Sequence, residues 1–258
     1  SSSFLSHARS FCERMVSTGI ISDGDLVVEI ACNDGYLLKN FLGGNVQILG
    51  IEPSFNVSKK AEALGIPVIN DFFGSELAYK ILKEFGYPKL IIANNVMAHV
   101  PDLRDFVKGL AILSGPDTQI SIENPSILNI LIEKQFDTIY HEHFSYLSCI
   151  SVEHISNEFG LTLFDLDHLA THGGSNRYWL RKGLSVKSDV LLTEIQRESR
   201  AGIKDESAWQ FANKDVAQNL VNLKKWLEEC HQAGESVIGY GAAAKASTSA
   251  RTLSPTLA

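Results

Sequence analysis

Short apolar runs alternate with segments of helical period between residues 25 and 125, and this alternation constrains the fold more than any other feature of the sequence. The apolar runs lie at 26–30, 46–51, 67–69, 90–93 and 119–122. Segments of helical period fit between them, at 35–42, 54–64, 74–85 and 102–113. This order is typical of a parallel sheet with helices on both faces. We therefore predict an α/β fold.

Segments on either side of this region extend the predicted domain. A helix is expected at 4–18, where apolar residues recur at helical spacing before Gly19. After Asn124-Pro125 the alternation ends. The remaining predicted elements are a helix near 126–133, a second helix near 151–159, and strands at 161–170 and 176–182.

The C-terminal part of the sequence suggests a second unit. A long amphipathic helix is predicted at 206–233, and the run 236–241 resembles the opening strand and glycine turn of another α/β unit. We therefore place the first domain at 1–190. Residues 191–258 are expected to form a linker helix and the start of a truncated Rossmann-like domain, so that the chain would be part of a longer protein.

Composition and charge indicate the class of partner. The net charge of −7, without a cluster of lysines or arginines, argues against nucleic acid as a partner, since phosphate contacts need a concentrated basic face. No apolar run approaches the ~18 residues that a membrane span needs. The four cysteines are far apart and form no CxxC pair, which favours reduced thiols in a cytoplasmic protein. A small-molecule substrate is the expected partner.

The residues that follow the predicted strands are candidates for a ligand site, because ligands of open α/β sheets bind beyond the carboxyl ends of the strands. The loop after the first strand, Ala31-Cys32-Asn33-Asp34-Gly35, has one glycine where a dinucleotide fingerprint has three. S-adenosylmethionine (SAM) has no phosphate and needs no such loop. Glu52 follows the second strand, where a carboxylate can accept the hydroxyl protons of a ribose.

Polar residues after the third and fourth strands complete the predicted cofactor site. Asp71 and Phe72 could bind the adenine edge and cover its face, and Asn94 and His99 could face the methionine part. Taken singly, Glu52 is better explained as a solvated strand end and Asp71 as a helix N-cap; their joint placement after successive strands favours SAM instead. The predicted cofactor-binding residues are Ala31, Asn33, Gly35, Glu52, Asp71, Phe72, Asn94 and His99.

The segment Tyr140-His141-Glu142-His143 carries the candidate catalytic groups. His143 is the candidate general base, and Glu142 or Tyr140 would orient it or handle a second proton. In extended chain these side chains alternate between two sides, so they meet only if the chain bends. The alternatives are a buried hydrogen-bonded cluster and a metal site. The absence of an HExxH or a carboxylate triad argues against a metal, and we predict none.

Six segments carry recognisable motifs, at 29–35, 51–54, 70–73, 140–146, 171–177 and 239–245. Among these motifs, YHEHFSY and HGGSxR are the most specific. Together the six segments resemble the C-3 methyltransferase type of the sugar C-methyltransferases, which act on nucleotide-linked 4-keto-deoxysugars.

This resemblance implies a three-part protein with a zinc-binding N-terminal domain, a SAM domain and a C-terminal Rossmann-like domain. The zinc-binding cysteines are missing here, and the sequence stops soon after Lys245, with no glycine directly following that lysine. By resemblance, the substrate contacts include His172, Ser175, Arg177 and Lys245. From the residues themselves, a phosphate contact by Arg177 and a surface turn at 173–174 remain equal alternatives. Tyr36 and Tyr146 are added as residues expected near the sugar pocket.

The predicted reaction is C-methylation next to a ketone. The ketone would make the neighbouring C-3 proton acidic, His143 would remove it, and the resulting enolate carbon would take the methyl group of SAM. One alternative is a small-molecule O- or N-methyltransferase. A second is a NAD-dependent oxidoreductase or nucleotide-sugar-binding module that uses Gly239-Tyr240-Gly241 as a phosphate turn.

Overall fold

A computed structural model of the chain describes residues 2–238, and these form a seven-stranded mixed sheet flanked by helices. The strand order is β3-β2-β1-β4-β5-β7-β6, with β7 antiparallel to both of its neighbours. The strands are β1 Leu26–Ile30, β2 Gln47–Ile51, β3 Val68–Ile69, β4 Leu90–Asn94, β5 Gln119–Pro125, β6 Leu161–Leu169 and β7 Ser175–Lys182.

Eight α-helices accompany the strands within the described residues, and short 3-10 turns lie at 38–41, 97–99, 136–138 and 171–173. The α-helices are α1 Ser2–Ser17, α2 Phe55–Ala63, α3 Ser75–Phe85, α4 Leu103–Leu113, α5 Ile127–Glu133, α6 Cys149–Glu158, α7 Asp189–Arg200 and α8 Glu206–Gln232.

The α/β prediction is confirmed, with two corrections. The sheet is not wholly parallel, because only five residues join β6 to β7, and a connection this short makes an antiparallel pair. The predicted helix at 35–42 is a single 3-10 turn, Leu38–Phe41. Gly35 has a φ of 77° just before it, and this left-handed conformation interrupts helical geometry.

Helices cover both faces of the sheet because the central strands are apolar on both faces. In β1, Val27 packs with the side chains of α1, whereas its neighbour Val28 packs with those of α3 and α4. Successive side chains of a strand point to opposite faces, so a fully apolar strand needs cover on both sides. Every residue of β1 is buried. This arrangement leaves the carboxyl ends of the strands as the edge where loops meet.

The helix α7 was not predicted, and it packs against β6 and α6. Leu191 is fully buried, and the Glu198 carboxylate accepts hydrogen bonds from the backbone N–H groups of Cys149 and Ile150 at the start of α6. The helix begins one residue before the predicted domain boundary at 190, which stays a prediction. The predicted opening of a C-terminal domain lies mainly outside the described residues, as does Lys245.

Two further properties concern the whole described part of the chain. Within residues 2–238 no helix is long and apolar enough to cross a membrane. The four cysteines are buried and unpaired with one another.

Candidate active site

A largely apolar cavity of about 500 Å³ lies beyond the carboxyl ends of β1, β2 and β4. Three of the predicted cofactor residues, Ala31, Phe72 and His99, line it. Phe72 is 79% exposed, so its ring is available to a ligand. The remaining wall is mainly apolar and includes Ile30, Ile51, Pro53, Phe73, Val96 and Phe106. A cavity of this size and character suits a flat heteroaromatic group such as adenine.

The loop after β1 has an unusual backbone. Ala31, Asn33 and Gly35 all have positive φ values, at 55°, 52° and 77°. The Asn33 side chain donates a hydrogen bond to the Ala31 carbonyl at 2.9 Å, which stabilises this conformation. A Cβ atom at position 35 would lie 2.4 Å from the Ile66 side chain and 3.3 Å from the Ala61 Cα, so close packing and the positive φ together favour glycine here. This loop borders the apolar cavity, which Ala31 lines, and a second cavity, which Asn33 lines.

Glu52 follows β2 and is 6% exposed. Its carboxylate accepts hydrogen bonds from the backbone N–H groups of Asn33, at 3.2 Å, and Ser54, at 2.8 Å. Asn70 donates its side-chain N–H to the Glu52 carbonyl at 2.6 Å. A carboxylate has about four acceptor positions, so two remain for the hydroxyl groups of a ribose.

A second cavity, of about 360 Å³, lies on the other side of the same loop. Asn33, Asn94 and Tyr36 line it, together with Asn95 and Phe4. The side-chain oxygens of Asn94 and Asn95 are buried and have no hydrogen-bond partner among the described residues. Unpaired buried acceptors fit the ammonium group of an amino acid. In size and lining, the two cavities suit the adenosine and methionine parts of SAM. His99, which was predicted to face the methionine part, lines the apolar cavity instead.

Two of the predicted cofactor residues, Asp71 and Gly35, line neither of these two cavities. Gly35 is buried in the loop. Asp71 accepts a hydrogen bond from the Phe72 backbone N–H at 2.8 Å and lines a neighbouring recess beside α3. Their direct contact with a cofactor stays a prediction.

The candidate catalytic segment bends, as the prediction required. The backbone N–H of His143 donates to the Tyr140 carbonyl at 3.1 Å, and this turn brings the two rings to a centroid distance of 4.4 Å. The segment is docked on the turn after β4, since Phe144 and Ser145 both donate backbone N–H groups to the Ala98 carbonyl. The catalytic segment and the apolar cavity are thus neighbours.

Two imidazole rings meet at this junction. The rings of His99 and His143 lie 4.7 Å apart, edge to face. Nδ1 of His143 lies 3.0 Å from the Thr138 carbonyl, and Nδ1 of His99 lies 2.8 Å from the Glu142 carbonyl. A carbonyl only accepts, so each Nδ1 is the protonated nitrogen, and each Nε2 is the basic one in the neutral ring.

The tyrosines of this segment remain protonated at neutral pH. Partial burial and the charge of Glu142 raise the pKa of Tyr140 above its ordinary value. Partial burial is also the largest cause that raises the pKa of Tyr146, whose ring lies 5.7 Å from that of His143. Glu142 itself is exposed. Both phenols are therefore hydrogen-bond donors beside the candidate base.

Two of the predicted substrate residues, Arg177 and Ser175, mainly make contacts that hold the protein together. Arg177 is 3% exposed, and its guanidinium pairs with the Glu123 carboxylate at 2.5 Å. Glu123 also contacts His7 at 2.9 Å and accepts a hydrogen bond from the Thr171 hydroxyl. Ser175 is buried and donates to the Thr171 carbonyl. A phosphate contact by Arg177 or Ser175 stays a prediction that this burial does not favour.

His172 and Tyr36 lie closer to the cavities. The ring of Phe4, on α1, lies 4.9 Å from the Tyr36 ring, tilted by 40°, and 6.4 Å from the ring of His172. Burial is the largest cause that raises the pKa of Tyr36, followed by the charges of Glu29 and Glu123. Within residues 2–238, no group of three His, Cys, Asp or Glu residues is arranged to hold a metal ion.

The sequence did not single out Phe4, Asn95 or Glu123. Phe4 is far from the cavity in sequence and reaches it only because α1 packs across the sheet edge. Asn95 directly follows Asn94 and has the rare left-handed backbone, with a φ of 53°. Glu123 could have been noticed in the sequence, because it is a carboxylate directly after the apolar run 119–122, within what is now strand β5.

Comparison with known proteins gives the class of this fold and site. A methyltransferase-domain family model matches residues 4–166. Among solved structures, one is the magnesium protoporphyrin IX methyltransferase of Synechocystis with bound S-adenosylhomocysteine (SAH). It superposes with a TM-score of 0.54 at 15% identity, over 70% of this chain and 84% of that one. A SAM-dependent methyltransferase of Anabaena variabilis superposes with a TM-score of 0.53 at 12% identity, over 67% of this chain and 84% of that one. At such identities these neighbours show the fold.

The chain belongs to the SAM-dependent methyltransferase family, and SAM is its cofactor. A second family model, described as a C-methyltransferase C-terminal domain, matches residues 170–253. The C-methyltransferase NovU of Streptomyces niveus is 30% identical over 249 residues, which are 95% of this chain and 59% of that protein's length. These matches confirm the predicted resemblance to the sugar C-methyltransferases.

Proposed function

We propose that this protein methylates the carbon next to the keto group of a nucleotide-linked 4-keto-deoxysugar, through an enolate. The observation that carries the proposal is the contact between the rings of His143 and His99. His99 lines the apolar cavity beyond β1, β2 and β4, which we call the cofactor cavity. In this proposal the methyl group is delivered beside this junction, from the side where the two cavities meet the loop after β1. When bound, SAM supplies an electrophilic methyl group.

His143 acts as the general base in this proposal. The Thr138 carbonyl fixes the proton on Nδ1, so Nε2 is the nitrogen that takes the C-3 proton of the sugar. The electron pair of the broken C–H bond moves into the enolate. The enolate carbon would then form a bond to the methyl group as the S–CH3 bond breaks, which leaves S-adenosylhomocysteine. A positioned base contributes about 10²- to 10⁴-fold to the rate of such a step.

Tyr140 supports the enolate. Its hydroxyl stays protonated, because burial and Glu142 raise its pKa, so it can donate a hydrogen bond to the enolate oxygen. Glu142 adds to the effect of burial in raising the pKa of that hydroxyl, and we propose that it also influences the proton on the base. Tyr36, Tyr146 and His172 are proposed to contact the sugar.

The other predictions on the whole protein also stay proposals. The contacts of Arg177 support an organising role for this residue in preference to a direct phosphate contact, and Ser175 and Lys245 are retained as substrate residues on the resemblance alone. We also retain a boundary near 190 between the catalytic domain and a C-terminal nucleotide-sugar domain, and a cytoplasmic location.

The test is deuterium release from a nucleotide-linked 4-keto-6-deoxysugar labelled at C-3. With SAM present, we expect the methylated product to lose the deuterium to water, because C-methylation must break that bond. An O- or N-methyltransferase would give a methylated product that keeps the label. Retention of the label in the product would refute the proposal and favour that rival.

An oxidoreductase finds little support in the loop after β1. That loop has a single glycine, whereas a bound pyrophosphate needs a glycine-rich backbone at a helix N-terminus. A thermal-shift comparison separates the two cofactors. We expect SAM to raise the Tm and NAD to leave it unchanged.

A further inference from the structure

The β3–α3 loop, residues 70–74, carries the exposed ring of the cofactor cavity. Phe72 lies in this loop and lines the cavity together with its neighbour Phe73. The first part of the loop is held locally, since the Phe72 backbone N–H donates to the Asp71 side chain at 2.8 Å. Strand β3 has only two residues, so a long ladder of strand hydrogen bonds cannot fix the loop. The position of the loop therefore depends on contacts with other elements.

Asp105, in the first turn of α4, holds the far end of this loop. Its Oδ2 atom accepts the Ser75 backbone N–H at 3.2 Å, and its Oδ1 atom accepts the Ser75 hydroxyl at 2.5 Å. Helix α3 begins after Gly74, which has no side chain to cap the helix. The carboxylate of Asp105 thus supplies the acceptor that an N-cap side chain normally supplies. Helix α3 is therefore capped by a neighbouring helix.

Helix α4 also packs directly on the β3–α3 loop. A Cβ atom on Gly109, one turn after Asp105, would lie 2.9 Å from the carbonyl carbon of Gly74 and 3.0 Å from the Phe73 ring. That ring packs edge to face on Phe106, with a centroid distance of 5.5 Å. Glycine at position 109 therefore lets the helix approach the loop backbone closely. The carboxylate and this packing hold the loop from the same helix.

The Asp105 side chain also lies at the wall of the cofactor cavity. Asp105 and Phe72 line both that cavity and the neighbouring recess of about 390 Å³, which Asp71 lines as well. Helix α4 begins at Leu103, shortly after His99. It therefore connects the loop that carries Phe72 to the turn that carries His99. A change at Asp105 would move the exposed ring relative to the rest of the cavity.

We propose that Asp105 is a positioning residue for the cofactor. By capping α3 from α4, it holds Phe72 where the ring can cover the adenine of SAM. The proposal rests on the assignment of the cofactor cavity to adenine, and it is independent of the identity of the methyl acceptor. Its readout is the equilibrium binding of SAH, so its failure is distinguishable from a failure of the deuterium-release assay.

Calorimetry on the full chain measures the Kd for SAH in Asp105→Ala. We expect this Kd to rise about tenfold, because the loss of the cap frees the loop and a displaced ring covers adenine poorly. Asp105→Asn should stay within about threefold of the wild type. Its amide oxygen can accept the Ser75 N–H, and its amide N–H can donate to the Ser75 hydroxyl.

Ser188→Ala is the matched control for the loss of a helix cap. The Ser188 hydroxyl accepts the Leu191 backbone N–H at 3.2 Å and caps α7, which packs on β6 at the opposite edge of the sheet from β3. We expect Ser188→Ala to lower the Tm to a similar extent as Asp105→Ala and to leave the Kd for SAH unchanged.

A double-mutant cycle with Phe72→Ala tests whether Asp105 acts through that ring. If it does, Asp105→Ala should change the Kd for SAH by less than about twofold in the Phe72→Ala background. A residue that only stabilises the fold would weaken binding by the same factor in both backgrounds. Should Asp105→Ala fold poorly, Ser75→Ala removes one of the two hydrogen bonds and should show the same pattern with a loss of about threefold.

Four results would overturn the proposal. The first two are a Kd for SAH within twofold of the wild type in Asp105→Ala or in Phe72→Ala, since the carboxylate or the ring would then have no part in binding. The third is an equal factor of weakening in both backgrounds of the cycle. The fourth is a loss of SAH affinity in Ser188→Ala as large as that in Asp105→Ala.

Discussion

The ring of His99 lies edge to face against the ring of His143, with a centroid distance of 4.7 Å. His99 belongs to the turn after β4 and lines the cofactor cavity, whereas His143 belongs to the bent segment after α5. Each ring is oriented by a backbone carbonyl at its Nδ1. The contact joins the cofactor cavity to the base by a fixed geometry.

Replacement of His99 by alanine should therefore affect both catalysis and cofactor binding. The His99→Ala variant loses the hydrogen bond to the Glu142 carbonyl and the wall against which His143 rests. We expect kcat to fall at least about tenfold and the Kd for SAH to rise several-fold, because small misplacements of a base are costly. His231→Ala, at an exposed position on α8, should change neither value, and unaltered kinetics in His99→Ala would contradict this coupling.

Glu52 should dominate the affinity for the cofactor. In Glu52→Gln a single side-chain oxygen remains as an acceptor for the N–H groups of Asn33 and Ser54, so the loop and any ribose compete for it. We expect the Kd for SAH to rise about 10- to 100-fold, the range for a lost charge-assisted hydrogen bond. Calorimetry measures it, with the exposed Glu84→Gln as control. A Kd within twofold of the wild type would remove Glu52 from the site.

The ion pair between Arg177 and Glu123 should contribute to stability. Arg177→Met leaves a buried carboxylate without its closest partner, so we expect unfolding to cost about 3–5 kcal/mol less. Chemical denaturation measures this, and the double variant Glu123→Gln with Arg177→Met should recover part of the loss. Arg9→Met, which breaks an exposed pair with Glu13, should cost no more than about 1 kcal/mol. Unchanged stability of Arg177→Met with weaker nucleotide-sugar binding would instead support the phosphate role.

Asp167 pairs with Arg14 of α1, and this ion pair should make the stability of the protein sensitive to acid. Burial alone would raise the pKa of its carboxyl, but hydrogen bonds from Arg14 and Trp179 outweigh this and lower it below 3.8. A lowered folded-state pKa means that the stabilisation is present above the unfolded-state value and is lost as the pH falls through the folded-state value. We expect wild-type stability to decline below about pH 4 more steeply than that of Asp167→Asn. Unfolding curves between pH 2 and 6 test this; parallel declines would contradict it.

Much of the sheet was predictable because its signals are local. The runs that became β1, β2 and β4 are short, apolar and bounded by turn residues, and buried parallel strands need little else. Asp102 caps α4 with its side chain on the Asp105 N–H, as its position in the sequence indicated. Local chemistry thus determined where most elements begin.

The missed features depend on contacts between distant segments. The helix α7 is rich in charged residues and buries only Leu191, Glu194 and Glu198, and no periodic pattern of apolar residues reveals two buried glutamates. Phe4 reaches the cavity only through the packing of α1. The distance between His99 and His143 follows from a backbone contact at Ala98, which no spacing in the sequence encodes.

Solvent exchange at C-3 tests the role of His143 most directly. A nucleotide-linked 4-keto-6-deoxysugar incubated with the protein and SAH in deuterated water should exchange its C-3 proton, as followed by NMR. We predict that His143→Asn lowers this rate by about 10²- to 10⁴-fold while the Kd for SAH stays within twofold. Exchange by His143→Asn at the wild-type rate would contradict the account.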